Sequence, residues 1–357
     1  MTSSHSVPEA VSQRLLSFLE ERREDALADS PEAALVIDAA SSSLAGGKRL
    51  RARFCETGWR AVSPAIGAES IIDAAASLEI FQAAALVHDD IIDNSDTRRG
   101  RPAAHRALQA MHLGRGWTGD AAAFGRSAAL LLGDLLVAWS NDLFEHALDV
   151  HPSPRPAREE YARMRRDVTL GQFLDIAQES AWIVQPDDEH AQRALEVASL
   201  KSARYSVLQP LVIGACIGGA RDDQLAALRA YGMPIGLAFQ LRDDVLGVFG
   251  DTELTGKPSG DDLREGKRTL LIAYAREQMD PAARASLDAD LGRVDLDEGD
   301  VARLQGAIIA TGALDRVEER ITAFTTQADS ALDSGVLAAD AVADLRALAL
   351  AATARTS

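Results

Sequence analysis

The chain has 357 residues, 47% of them hydrophobic and 25% charged, enough to bury a large core as one large domain or two small ones. Its formal charge of −17 and pI near 4.8 argue against a nucleic-acid partner, because backbone phosphates demand a basic footprint. No run of about eighteen apolar residues occurs, the first residues lack a signal-peptide pattern, and Cys55 and Cys216 sit in apolar surroundings without metal-ligand spacing; a cytoplasmic protein with no stable membrane insertion is expected.

Residues 1–8 read as a disordered polar tail and residues 9–357 as one domain. Glu9 to about Ala28 predicts an amphipathic helix with Val11, Leu15, Leu16 and Leu19 on one stripe. A second helix should run from Pro31 to Ser43 and stop at Gly46-Gly47, just before the cations of Lys48-Arg49-Leu50-Arg51. Helices from about Arg51 to Val62 and about Ala68 to Asp93 follow, and the latter ends in Asp89, Asp90 and Asp93. In a helix Asp89 and Asp93 stack at i and i+4, where like charges repel unless a cation neutralises them. Carboxylate oxygens suit Mg²⁺, which is commonly held by one or two carboxylates plus substrate phosphates.

Asn94 to Pro102, with Arg98 and Arg99, reads as a loop, and the glycine-rich stretch from about His112 to Arg126 as a long surface loop. Ser127 to Leu148 is apolar on nearly all sides and predicts a helix at the centre of the core, in which Asp134 needs a partner. The proline-rich 151–156 reads as a connection within one domain. Further helices are predicted at about Arg158 to Ser180, Asp187 to Ser202, Tyr205 to Gly218, Asp222 to Phe249 and Arg268 to Gln278, with two or three short ones after them. Alternating strand pattern is nowhere convincing, and the dominance of alanine and leucine favours an all-α bundle.

A second acidic pair, Asp243-Asp244, again ends an apolar helical run and is followed by Lys257 and Lys267. The intervening Gly250 to Thr269 is glycine-punctuated and charged, as a lid over a bound anion would be. Two carboxylate clusters with cationic followers imply a diphosphate bound through Mg²⁺, with Lys and Arg on the oxygens the metal leaves.

Taken in order, Gly47-Lys48-Arg49-Leu50-Arg51, Asp89-Asp90-Ile91-Ile92-Asp93 with Arg98-Arg99-Gly100, Leu132-Gly133-Asp134, Gly171-Gln172, Lys201-Ser202, Phe239-Gln240-Leu241-Arg242-Asp243-Asp244 and Gly256-Lys257-Pro258 through Lys267-Arg268-Thr269 resemble the trans-prenyl diphosphate synthases. The resemblance spans about Gly46 to Thr269. It implies an all-helical homodimer of the isoprenoid synthase type, with two Asp-rich motifs facing each other across a central cavity. It implies that Lys48, Arg51 and Arg99 bind isopentenyl diphosphate, that Arg98, Lys201, Gln240, Lys257 and Lys267 serve the allylic diphosphate, and that Asp89, Asp93 and Asp243, with Asp90 and Asp244 beside them, hold Mg²⁺. The chemistry implied is ionisation of the allylic C–O bond, attack by the isopentenyl double bond and proton loss, with catalysis resting on stabilised charge rather than on a nucleophile.

Three positions depart from the family pattern. Gln82 stands where many relatives carry a histidine, Ser202 replaces a threonine, and Gly247 replaces the last carboxylate of the second motif. The last change keeps a non-catalytic subunit of a heteromeric synthase open as an alternative. A terpene cyclase would need a different downstream metal motif, and a His-Asp phosphohydrolase needs metal-spaced histidines that the seven here do not provide. Product length in the family is set by what blocks the cavity below the first motif. Here Ala84 and Ala85 are small, and Phe81, on roughly the same face, is the first bulk, about 12 Å down the helix from Asp89. That depth admits about three isoprene units and predicts geranylgeranyl diphosphate, with farnesyl diphosphate second and longer chains third.

Overall fold

The computed structural model describes residues 6–62, 68–149, 151–250, 259–293 and 295–353. The chain divides into two compact units, one of residues 1–158 with 210–220 and one of residues 159–209 with 221–357. The first boundary falls just after the proline-rich stretch.

In the first unit the helices are α1 (Val7–Asp29), α2 (Ala33–Leu44), α3 (Leu50–Ala61), α4 (Ala68–Ile92), α5 (Ala104–Gly114) and α6 (Ala121–Leu148), joined by most of α9 (Gln209–Ile217). Helix α4 is its centre: Ala74, Ala75, Ala76, Leu78, Ile80 and Ala84 have no exposed surface. Runs of alanine give helix propensity without bulk, so neighbours approach on several sides. Glycine does the same between α3 and α9, where a Cβ on Gly58 would lie 2.1 Å from the Leu211 carbonyl oxygen and one on Gly214 only 1.8 Å from that of Cys55.

Two expectations fail in this unit. The long loop from His112 to Arg126 shrinks to 115–120, because the Asp120 carboxylate accepts from the Ala122 and Ala123 N–H groups and starts α6 six residues early. Helix α6 is also not central: only 28% of its most apolar window is buried, against 72% for α4, and Leu130 and Leu131 stand 51% and 65% exposed. Both α4 and α6 are long and apolar enough to cross a membrane by length and composition alone. Among the described residues the only strands are β1 (Thr97–Arg98) and β2 (Arg101–Pro102), an antiparallel hairpin in a stretch that reads as a loop.

The second unit takes in most of α7 (Arg155–Ala181), then α8 (His190–Val197), a π-helical segment (Ala198–Leu208) and α10 (Asp222–Phe249). After these come α11 (Asp261–Glu265), α12 (Leu270–Gln278), α13 (Pro281–Asp290), α14 (Glu298–Ala310), α15 (Ala313–Ala331) and α16 (Ala339–Thr353). The two helices predicted between Asp187 and Gly218 are one path, bridged by the π segment instead of broken. Among the described residues four α-helices follow α12 where two or three short ones were expected. The core gathers Ala238, Leu241, Val245 and Val248 of α10 with Leu263, Leu270, Leu271, Val301 and Leu304. Helix α11 lies inside the predicted lid segment; Lys257 and the rest of 251–258 lie outside the described residues.

Candidate active site

In the first unit, α4 delivers Asp89, Asp90 and Asp93 at its C-terminal end. The hairpin beyond it turns through Arg99 and Gly100, both at positive φ (+53° and +71°), the pair of conformations a two-residue hairpin turn of the twisted kind requires. That turn folds Arg98 back onto the helix end. Its Nε donates to Asp90 Oδ1 at 2.8 Å, Nη2 engages the same oxygen, and Nη2 lies 3.6 Å from Asp89 Oδ2. Asp90 is 3% exposed, so its carboxylate is a buried partner of Arg98, while Asp89 and Asp93 are half-buried.

The cationic side is built on unusual backbone. Gly46 and Gly47 adopt φ of +73° and +86° and Arg49 +50°, and a Cβ on Gly47 would lie 2.8 Å from Arg99 Nη1. Glycine at 47 therefore lets the loop seat against the Arg99 guanidinium. Arg49 turns inward: its Nη2 donates to the Leu44 carbonyl at 2.8 Å and its Nη1 lies 3.7 Å from Glu79 Oε2. Glu79, 4% exposed, also accepts the Ala52 N–H at 3.1 Å, which ties the start of α3 to α4. Lys48 is exposed and Arg51 buried. Partial burial pushes Arg99 below its ordinary pKa, Glu79 opposes this, and Arg49, Arg51 and Arg98 push it further down. Four guanidiniums close enough to repel form a site that an anion stabilises.

His88 sits against α6, its Nε2 3.3 Å from the Leu130 carbonyl oxygen and 3.5 Å from Asp134 Oδ1. This is the partner Asp134 needed, although the Asp134 side chain is 67% exposed. A Cβ on Gly133 would meet His88 Nε2 at 2.1 Å, so glycine there is a condition of the contact. Gln82 and Ala85 are half-buried on α4, whereas Phe81 and Ala84 are buried.

In the second unit Lys201 lies in the π segment, a widened helical turn of the sort often found at functional sites. Its Nζ lies 2.5 Å from Asp175 Oδ2. Gly171 makes this possible, since a Cβ there would lie 2.3 Å from the Lys201 backbone nitrogen. Ser202 beside it is half-buried. Lys267 Nζ reaches the same Asp175 and Glu179, each at 3.7 Å, and Glu265 at 3.9 Å. On α10, Asp243 is half-buried and Asp244 7% exposed, and Gln240 Nε2 donates to Asp244 Oδ1 at 2.6 Å. Burial holds the Asp244 carboxyl well above the usual range, with Asp262 adding to it, Gln240 opposing, and Asp243 and Asp175 adding further. Gln240, assigned to the allylic diphosphate from the sequence, is thus engaged with Asp244.

Among the described residues no three carboxylates, imidazoles or thiolates converge tightly enough to hold a metal on protein donors alone. Mg²⁺ does not need that, because it keeps waters and takes phosphate oxygens. The crowding of Asp243, Asp262 and Asp175 around Asp244 is the electrostatic arrangement a divalent cation relieves. Asp175, Asp262 and Glu79 escaped the sequence reading. Asp175 follows Gly171-Gln172 by one helical turn, the single local signal that could have raised it.

Residues 34–308 match the polyprenyl synthetase family. The chain is 32% identical over 300 residues, 83% of its length and 86% of the relative's, to a geranylfarnesyl diphosphate synthase of Aeropyrum pernix. Among solved structures it is similar to a geranylgeranyl pyrophosphate synthase of Corynebacterium glutamicum complexed with isoprenyl diphosphate and magnesium (40% identity, TM-score 0.93, 98% and 99% of the two chains). It is also similar to a polyprenyl synthase of Caulobacter crescentus complexed with calcium and isoprenyl diphosphate (28%, TM-score 0.76, both chains covered in full). With its motifs in family order and its helices superposing on such enzymes nearly end to end, the chain belongs to the polyprenyl synthetase family of trans-prenyl diphosphate synthases.

Proposed function

We propose that this chain condenses isopentenyl diphosphate with an allylic diphosphate to make a short all-trans prenyl diphosphate, with geranylgeranyl diphosphate as its main product. The observation that carries the reading is that each unit sets carboxylates beside cations: Asp89 and Asp90 beside Arg98, and Asp175, near Asp244, beside Lys201 and Lys267. Asp89 and Asp93, and separately Asp243, would hold Mg²⁺, which would supply positive charge to stabilise the departing diphosphate.

The chain's own groups do the rest. Lys201 and Lys267 offer ammonium donors to the allylic diphosphate, and Asp175 keeps both in place until that diphosphate competes for them. Arg51 and Arg99, with the exposed Lys48, receive isopentenyl diphosphate, and Glu79 holds Arg49 and the start of α3, the helix that carries Arg51. Gln82 has an amide N–H to offer in place of the family histidine. A second copy of the chain on the exposed apolar face of α6 would complete a homodimer.

The product follows from α4, where Ala84 and Ala85 leave the first bulk to Phe81. A twenty-five-carbon product is the second reading, favoured by the name of the Aeropyrum relative. The test is incubation with isopentenyl diphosphate, Mg²⁺ and each allylic primer in turn, with products identified by carbon number. Twenty-carbon product from the shorter primers is expected, and no elongation of any primer overturns the reading.

A further inference from the structure

Lys267 stands on the joint between α11 and α12, with Gly266 before it at φ of +77°. Its N–H donates to the Asp262 carbonyl at 3.0 Å, and its ammonium group lies 3.7 Å from Asp175 and from Glu179. Asp175, Glu179 and Trp182 are spaced i, i+4 and i+7, along one face of α7 as it runs into a closing 3-10 turn. The first two meet Lys267, and the third meets its neighbour, Arg268. The Arg268 guanidinium carbon lies 5.2 Å from the centre of the Trp182 ring, within the range over which an aromatic face attracts a cation.

Trp182 is 2% exposed and held from several directions. Its Nε1 donates to Asp288 Oδ1 of α13 at 3.1 Å, and its ring stacks on His190 with centroids 3.7 Å apart and planes 15° apart. The Arg276 guanidinium carbon lies 5.3 Å from the centre of the same ring. Burial and then Arg276 hold His190 below its ordinary pKa, so the imidazole is neutral at physiological pH and gives its Nε2–H to the Trp182 carbonyl at 3.1 Å. Asp288 is a shared anchor: besides Trp182 it takes Arg276 Nη1 on Oδ2, and Arg268 Nη1 lies 3.5 Å from Oδ1. Asp187 secures the far side, accepting from Arg276 Nη2 at 2.6 Å and from Arg284 Nη1 at 2.9 Å. Arg268 is held differently. Its Nε and Nη1 are buried with no hydrogen bond, so the Trp182 face and the charge of Asp288 hold it, with Glu179 attracting it as well.

We propose that Trp182 is a positioning residue for the allylic diphosphate: its ring and the Asp288 carboxylate pin Arg268, and with it the turn of chain that aims the Lys267 ammonium at Asp175 and Glu179. The inference rests on the prenyltransferase reading above, in which Lys267 serves that diphosphate. Trp182 acts through Arg268 rather than by contact with substrate. Lysine has a long, flexible stem, and a loose backbone beneath it adds freedom that binding must then remove. Tryptophan suits the position because it combines a face for the guanidinium with an N–H for Asp288; phenylalanine offers only the face, and leucine neither.

The test uses the purified full chain and two readouts. One is calorimetric binding, with Mg²⁺, of farnesyl thiolodiphosphate, an allylic analogue whose C–S bond resists ionisation; the other is steady-state kinetics with each substrate varied in turn. A wild type that binds no analogue tells against the prenyltransferase reading itself. Given that binding, Trp182→Leu should weaken the analogue and raise the KM for the allylic substrate by about tenfold, the lower end of what one charge-assisted hydrogen bond is worth. The KM for isopentenyl diphosphate should stay within about twofold. Trp182→Phe, which keeps the ring face, should stay within about threefold of the wild type on both counts. On a Lys267→Gln background Trp182→Leu should weaken the analogue no further, since the group it positions is gone. Equal shifts for the two substrates, a Trp182→Phe variant as weak as Trp182→Leu, or losses from Trp182→Leu and Lys267→Gln that simply add overturn the proposal and make Trp182 a packing residue. Should Trp182→Leu not fold, Arg268→Met decides, because it removes the pinned group and leaves Asp288 paired with Arg276 and Trp182. It must then show the same allylic-selective loss and the same failure to add to Lys267→Gln.

Discussion

The three aspartates ending α4 look alike in sequence, and the structure divides their labour. Asp90 is spent on Arg98 inside the protein, while Asp89 and Asp93 stack one turn apart at its edge. Replacing either of the first two by asparagine should therefore fail in different ways. Asp89→Asn should lower kcat by orders of magnitude, because it removes a metal-bridging charge, and should leave the melting temperature nearly unchanged. Asp90→Asn leaves the half-buried Arg98 with a weaker partner and should lower the melting temperature too, by the equivalent of about 1–3 kcal/mol. Parallel kinetics and thermal unfolding would separate them, and near-normal turnover in Asp89→Asn at unchanged Mg²⁺ would sink the assignment. The α4 motif was legible in sequence because its chemistry sits in consecutive helical turns. Asp175 and Asp262 were not, since each meets a residue elsewhere along the chain: Asp175 meets Lys201, and Asp262 lies against Gly247.

Elements were legible where periodicity was strong and uninterrupted, as in α10, predicted and found from Asp222 to Phe249. They were misjudged where glycine was taken as a loop signal. Gly114 and Gly125 lie within α5 and α6, and Gly125 is there because a Cβ would strike the His105 carbonyl oxygen at 2.3 Å. The apolarity of α6 was likewise taken for burial, although composition says nothing about which face has a neighbour. Helix α4 carries the prediction at this scale. Its alanines at 84 and 85 and its ring at 81 set a depth of about 12 Å below Asp89, given the rise of 1.5 Å per residue. Phe81→Ala should lengthen the product by one or more isoprene units while the variant stays folded, at a stability cost of about 3–5 kcal/mol if the cavity does not collapse. Product chains separated by length are the readout. An unchanged distribution from a folded, active variant would show that another element supplies the floor.

For the molecule as a whole, net charge and the α6 face pull in opposite directions. Each 38.0 kDa chain carries a formal −17, so association of two copies brings like charges together and needs apolar burial to offset the repulsion. Leu130 and Leu131 on α6 are among the exposed apolar side chains, and we propose them as the ones that provide it. In a two-fold assembly one surface patch meets its own copy, so each residue of that patch counts twice. Burying a leucine fully is worth about 1.5–3 kcal/mol. Leu131→Glu should therefore forfeit that gain on both sides and set two new carboxylates within the interface. The wild type should scatter light at twice the chain mass, more firmly as salt screens the repulsion. The variant should scatter at the mass of a single chain under the same conditions, with its helical circular dichroism intact because position 131 supports no core within its own unit. A wild type that scatters as a single chain, or a Leu131→Glu variant of unchanged double mass, would remove α6 as the face on which two copies meet.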